Sequence, residues 1–243
     1  THLAALTGDS PRWPASTRAI SELRLSVRVR PSGLFAGWRG PRTLHLDIVD
    51  YPGEWLLDLA LLDQSFDQWS DATIARLARR PEAAEFVALA RAEDGALLLD
   101  EDKARQLART YTGYLAAARD AGRVDVTPGR FLLPGDLAGS PVLTFAPLPK
   151  PALTPRGCLW REMERRYEAY KARVVRPFFR DHFSRIDRQI VLADVLGAIH
   201  DGPRAVEDLR QTLAEVLSAF RPGRNGWLTS LFGGRRVESI LFA

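Results

Sequence analysis

Leu44-His45-Leu46-Asp47-Ile48-Val49-Asp50-Tyr51-Pro52-Gly53-Glu54-Trp55 is the stretch that says most about this chain. Leu44 to Asp50 reads as a strand, and the residues after it, with proline and glycine side by side, read as a turn. Upstream, Ser21 to Arg30 alternates apolar Leu23, Leu25, Val27 and Val29 with polar Glu22, Arg24, Ser26, Arg28 and Arg30, the period of a half-buried strand with one wet face. A turn-rich segment, Pro31 to Pro41, separates the two, so they are expected to pair as an antiparallel hairpin.

Asp50 then stands at the C-terminal tip of a strand, with Gly53 three residues on. A carboxylate in that position can hold a water of Mg²⁺, a hard ion that keeps much of its hydration shell. A glycine in the turn lets the backbone bend sharply and brings an N–H toward a phosphate with no side chain in the way. Asp-x-x-Gly alone is an ordinary turn pattern. Here it follows an apolar strand with a hairpin partner, and a second apolar run ending in an acid, Gln189 to Asp194, comes later in the chain.

Between these points the chain becomes rich in Ala, Leu, Arg and Glu. Helices are expected over Leu56 to Leu62, from Ser70 as N-cap through Arg79, over Pro81 to Ala92, and over Glu101 to Ala121 with Asp100 capping and Gly122 terminating. Thr127 to Pro155, with prolines at 128, 134, 141, 147, 149 and 151 among others, reads as an irregular connection. Leu159, Met163, Tyr167, Tyr170, Val174 and Phe178 recur at helical spacing, with Pro177 as a point of kinking. Gln189 to Val195 has the nearly unbroken apolar character of a strand covered on both faces, Arg204 to Phe220 is helical, and Val237 to Ala243 is a terminal strand. That order is a βαβ unit, for which a parallel sheet is the default.

Three segments, Leu44 to Trp55, Leu133-Pro134-Gly135-Asp136-Leu137-Ala138-Gly139, and Arg188-Gln189-Ile190-Val191-Leu192-Ala193-Asp194-Val195-Leu196, resemble the YcjX-like family of bacterial P-loop NTPases, which is related to GTPases. The resemblance runs over essentially the whole chain. It implies an α/β class protein with a GTPase-like, mostly parallel sheet that includes an antiparallel hairpin strand. Residues 1–55 and 186–243 would form the partial nucleotide-binding core, and 56–185 a helical insertion with the proline-rich connection at 127–155. It implies Asp50 as the Walker B aspartate holding Mg²⁺ through water, Gly53 as the switch II glycine, and Glu54 as a residue that orients the attacking water. The alternative for Glu54 is a solvated turn. Thr17 is the candidate switch I ligand to magnesium and nucleotide, Arg18 a candidate arginine finger; the other role open to Ser16 or Thr17 is to cap the turn into the first strand. GTP is favoured over ATP as substrate by this resemblance only.

The glycine-rich P-loop, Gly-x-x-x-x-Gly-Lys-Ser/Thr, occurs nowhere in the sequence, nor does the base-reading motif expected after Ala243. The expectation is that both lie on neighbouring sequence, and that the isolated chain binds nucleotide poorly.

Composition narrows the alternatives. The 243 residues are 46% hydrophobic with a net charge of +4, enough to bury a sizeable core and too little basic excess to call for nucleic acid. No apolar run reaches the roughly eighteen residues of a membrane span. A single cysteine, Cys158, fits a reducing, cytoplasmic compartment and an inert buried thiol. The four histidines have no metal-ligand spacing. A non-enzymatic reading remains open, in which the helical region binds a protein partner through Trp55, Trp69, Trp160 and Trp227. A weaker one places Arg173, Arg176, Arg180, Arg185 and Arg188, mixed with Phe178, Phe179 and Phe183, on a lipid surface.

Overall fold

A computed structural model describes residues 20–30, 41–182, 186–220 and 239–242. The chain divides after Gly53 into two compact units. It is an α/β protein with a small antiparallel sheet and a separate parallel one.

In the first unit, β1 (Ser21–Val29) pairs with β2 (Arg42–Asp50) in antiparallel register, Leu25 opposite Leu46. One face carries cross-strand polar pairs. Arg24 forms a bidentate ion pair with Asp47 directly across, and Ser26 hydrogen-bonds His45 Nδ1 at 3.0 Å. The other face carries the expected apolar row, but it is not buried. Leu23, Leu25, Val27, Leu44, Leu46 and Ile48 are each between 40% and 60% exposed.

The second unit is largely helical. It begins with the short α1 (Glu54–Leu57), which passes into a 3₁₀ turn, Asp58–Asp63, rather than one continuous helix. Next comes α2 (Phe66–Leu77), which starts five residues earlier than expected. Ser65 is its N-cap, accepting from the Gln68 N–H while the Gln68 side chain accepts from the Ser65 N–H, a reciprocal capping box. Ser70 is buried inside the helix and accepts from the Leu148 N–H. Pro81 opens a 3₁₀ turn ahead of α3 (Ala84–Ala92), and Asp100 caps α4 (Glu101–Asp120) as its sequence predicts.

The segment after α4 is irregular but is no mere connection. It contains α5 (Gly129–Leu132) and two 3₁₀ turns, Gly135–Leu137 and Pro141–Leu143. It also sends Phe131, Phe145, Ala146 and Leu148 into the core. There Phe131 meets Phe145 at 4.9 Å, and Trp69 stacks on Tyr167 at 5.0 Å. Prolines stop regular structure without stopping burial, because the backbone groups find turn partners instead.

After this segment, α6 (Leu159–Tyr170) runs through a π-turn, Lys171–Val175, into α7 (Arg176–His182). The irregularity therefore precedes Pro177. A proline ring clashes with the carbonyl one turn before it, and the widened turn is where that clash is absorbed. β3 (Arg188–Val191) pairs in parallel with β4 (Ser239–Phe242), as the βαβ reading predicts. β3 is shorter than expected and is not covered on both faces, since Ile190 is 64% exposed. Between the two strands lie α8 (Val195–Asp201) and α9 (Pro203–Phe220). Asp194 does not end a strand; its carboxylate caps α8 by accepting from the Gly197 N–H at 2.7 Å.

Trp55, Trp69 and Trp160 are core residues rather than exposed anchors, as are Phe178 and Phe179. Trp227, Phe183 and Arg185 lie outside the described residues. Among the described residues no helix is long and apolar enough to cross a membrane.

Candidate functional site

Asp50 ends β2 opposite Ser21, on the exposed surface and on the same face as Leu44, Leu46 and Ile48. Tyr51 is half-buried and Pro52 buried, and Gly53 is exposed with open space where a Cβ would stand. Its φ is not in the left-handed region, so this turn does not need glycine for its backbone angle. What glycine contributes is the absence of a side chain of its own beside its N–H.

Glu54 opens α1 half-buried, where the free N–H groups of a first turn favour a carboxylate. Thr17, with Ser16 and Arg18, lies outside the described residues. Chain continuity places Glu54 next to Gly53.

The residues that follow Glu54 are held on several sides. Trp55 is 3% exposed; its indole N–H donates to the Leu133 carbonyl at 3.0 Å, and its ring meets Phe178 edge-on at 5.3 Å. The Arg130 guanidinium lies 3.3 Å over the Trp55 ring, a contact worth about 2 kcal/mol when desolvated. Burial holds the Arg130 pKa below its usual value, while Tyr170, Asp136 and Asp58 oppose that shift. Its Nη1 reaches the exposed Asp136 carboxylate at 3.4 Å.

One turn later the buried Asp58 accepts from the Gly129 N–H at 2.8 Å and from the Tyr170 hydroxyl at 2.5 Å. Burial pushes the Asp58 carboxyl up to about 6, against the pull of the Tyr170 hydroxyl, the Gly129 and Arg130 backbone N–H groups and the Arg130 charge. Gly129 itself touches the backbone of Glu54. A Cβ there would fall 2.0 Å from the Glu54 carbonyl oxygen, so no other residue fits without displacing one of the two segments.

Sequence reading missed this arrangement. Asp58 sits in an Ala/Leu-rich run, and Gly129-Arg130 sits in a segment read as a connection.

The model of the YcjX-like family, DUF463, matches residues 1–243. The chain belongs to this family. It is 39% identical over 258 residues to a Shewanella oneidensis protein named Ras-like GTPase YcjX, a match covering 99% of the chain and 52% of that protein. It is 37% identical over 252 residues to the Escherichia coli K12 protein of the same name, covering 99% of the chain and 54% of that protein. The chain thus spans about half the length of the curated relatives it matches. Two of the three segments that carry the YcjX-like resemblance meet here. Trp55 belongs to the first, and its ring packs beside Gly135 and bonds Leu133 in the second. Gly135 has φ +57, and a Cβ on it would crowd Arg130 Nη1 at 3.4 Å.

Proposed function

We propose that this chain is the central part of a P-loop nucleoside triphosphate hydrolase that acts on GTP in preference to ATP. In this reading 1–55 and 186–243 belong to the nucleotide-binding core, 56–185 is a helical insertion, and the protein works in the cytoplasm. The observation that carries it is the exposed Asp50 carboxylate at the end of a nine-residue strand, three residues before the open turn at Gly53. The names of the two relatives support the GTPase reading.

Magnesium in nucleotide sites is bound by one or two carboxylates, with waters and substrate phosphates completing its shell. Asp50 fits that share, as an exposed oxygen donor at a strand end. When bound, the ion would neutralise charge on the β- and γ-phosphates. Among the chain's own residues, Asp50 would hold the ion through a water, Thr17 would supply a hydroxyl to the metal and nucleotide, the Gly53 N–H would donate to the γ-phosphate, and Glu54 would accept a hydrogen bond from the attacking water. Order in the Gly53 turn then depends on the γ-phosphate, and the helical region passes that state to a protein partner.

The test is magnesium-dependent binding of a fluorescent GTP analogue to this chain and to a version extended by its native flanking sequence. Binding by the extended version supports the reading, and Asp50→Ala should weaken its magnesium dependence by about 10- to 100-fold. Absence of binding by both would refute it. In hydrolysis by the extended protein, Glu54→Ala should slow turnover while sparing nucleotide affinity.

A further inference from the structure

Three of the five residues from Glu54 to Asp58 are fastened to one short segment of the helical unit, Gly129 to Leu133. The Glu54 carbonyl lies against the α-carbon of Gly129. Trp55 is pinned by the Leu133 carbonyl at 3.0 Å and by the Arg130 guanidinium at 3.3 Å. Asp58 takes the Gly129 N–H and the Tyr170 hydroxyl. Arg130 is itself 8% exposed and bound at its far end to Asp136 and the Pro134 carbonyl, so the stack cannot slide freely.

A side chain that must orient one water is useful only if its backbone is held to a fraction of an ångström, because small misplacements cost large factors in rate. The backbone of Glu54 is fixed by what holds Gly129 and Trp55 around it.

We infer that Trp55 and Arg130 form a clamp, seated on Gly129, that positions Glu54 for hydrolysis. Both are positioning residues that do not touch nucleotide. The inference rests on the hydrolytic role proposed for Glu54.

The experiment is single-turnover GTP hydrolysis and GTP-analogue binding by the flank-extended protein carrying Arg130→Met, Trp55→Phe, Glu54→Ala or Arg130→Met with Glu54→Ala. A melting curve for each variant confirms folding. Arg130→Met keeps most of the stem and removes the planar charge; Trp55→Phe keeps an aromatic ring and removes the N–H. Each should lower the hydrolysis rate about tenfold or more, with nucleotide affinity changed less than about twofold. In the Glu54→Ala background, Arg130→Met should slow hydrolysis no further, because groups that act through one another are not additive.

Wild-type rates in both folded single variants would overturn the clamp while leaving Glu54→Ala to report on hydrolysis separately. Equal slowing by Arg130→Met with and without Glu54 would overturn it too, by showing an effect that does not pass through Glu54. A Glu54→Ala protein with normal turnover would remove both the clamp's purpose and the catalytic role of Glu54.

Discussion

Gly129 and Asp58 show how much can rest on single atoms. Gly129→Ala places a methyl carbon 2.0 Å from the Glu54 carbonyl oxygen, backbone against backbone, where no rotamer can relieve the clash. Urea unfolding should show a loss of about 3 kcal/mol, at the upper end of the usual cost of overpacking. A loss under about 0.5 kcal/mol would mean the two segments separate easily. Asp58 carries a second expectation. Its folded-state pKa of about 6 lies above the ordinary 3.8, so the folded protein holds this proton more tightly than the unfolded chain. The stabilisation this confers is complete below about pH 4 and is lost as pH rises through 6, a change of about 3 kcal/mol. Asp58→Asn keeps the Gly129 bond through Oδ1, can donate Nδ2–H to the Tyr170 oxygen, and does not titrate. Between pH 4 and 7 its stability should therefore gain on the wild type by about that amount, measured as paired unfolding curves. A gap that stays constant with pH would show that Asp58 does not titrate in this range. Neither residue was legible in the sequence, because a buried acid and a close-approach glycine look like any others until the fold brings their partners from more than seventy positions away.

At the scale of elements, local signals served best where they were complete. The alternation in Ser21–Val29 and the strand at Arg42–Asp50 gave the hairpin, and Asp100 and Gly122 bracketed α4. The start of α2 shows the limit: Ser70 is a fair cap by residue type, but Ser65 has Gln68 three residues on, and the reciprocal pair outweighs a lone serine. Ser65→Ala should lower stability by about 1 kcal/mol in thermal or chemical unfolding, whereas an unchanged midpoint would show that packing of Phe66 and Trp69 alone sets the helix start. Proline content marked the segment from 127 to 155 as irregular but said nothing of its burial. Phe131 and Phe145 were the available hint, two aromatic residues, both buried, in a stretch otherwise read as an irregular connection.

For the whole molecule, family membership was readable because three motifs lay in order along the chain, and the match over residues 1–243 bears it out. Asp50 and Gly53 were legible as candidates since their chemistry follows from residue type at a strand end. What holds the residues after Glu54 was not, since the contacts of Trp55 with Leu133 and Arg130 are long-range and leave no local pattern.

The hairpin's uncovered side has a meaning for how such a gene can be taken apart. The boundary between the two units falls after Gly53, which invites a cut there. A two-stranded ribbon is at best marginal alone in water, and this one would carry Leu23, Leu25, Leu46 and Ile48 outward on one apolar side. The natural seam in contacts is therefore a poor seam for dissection: cut loose there, the hairpin of Ser21–Val29 and Arg42–Asp50 would turn its whole apolar row to water.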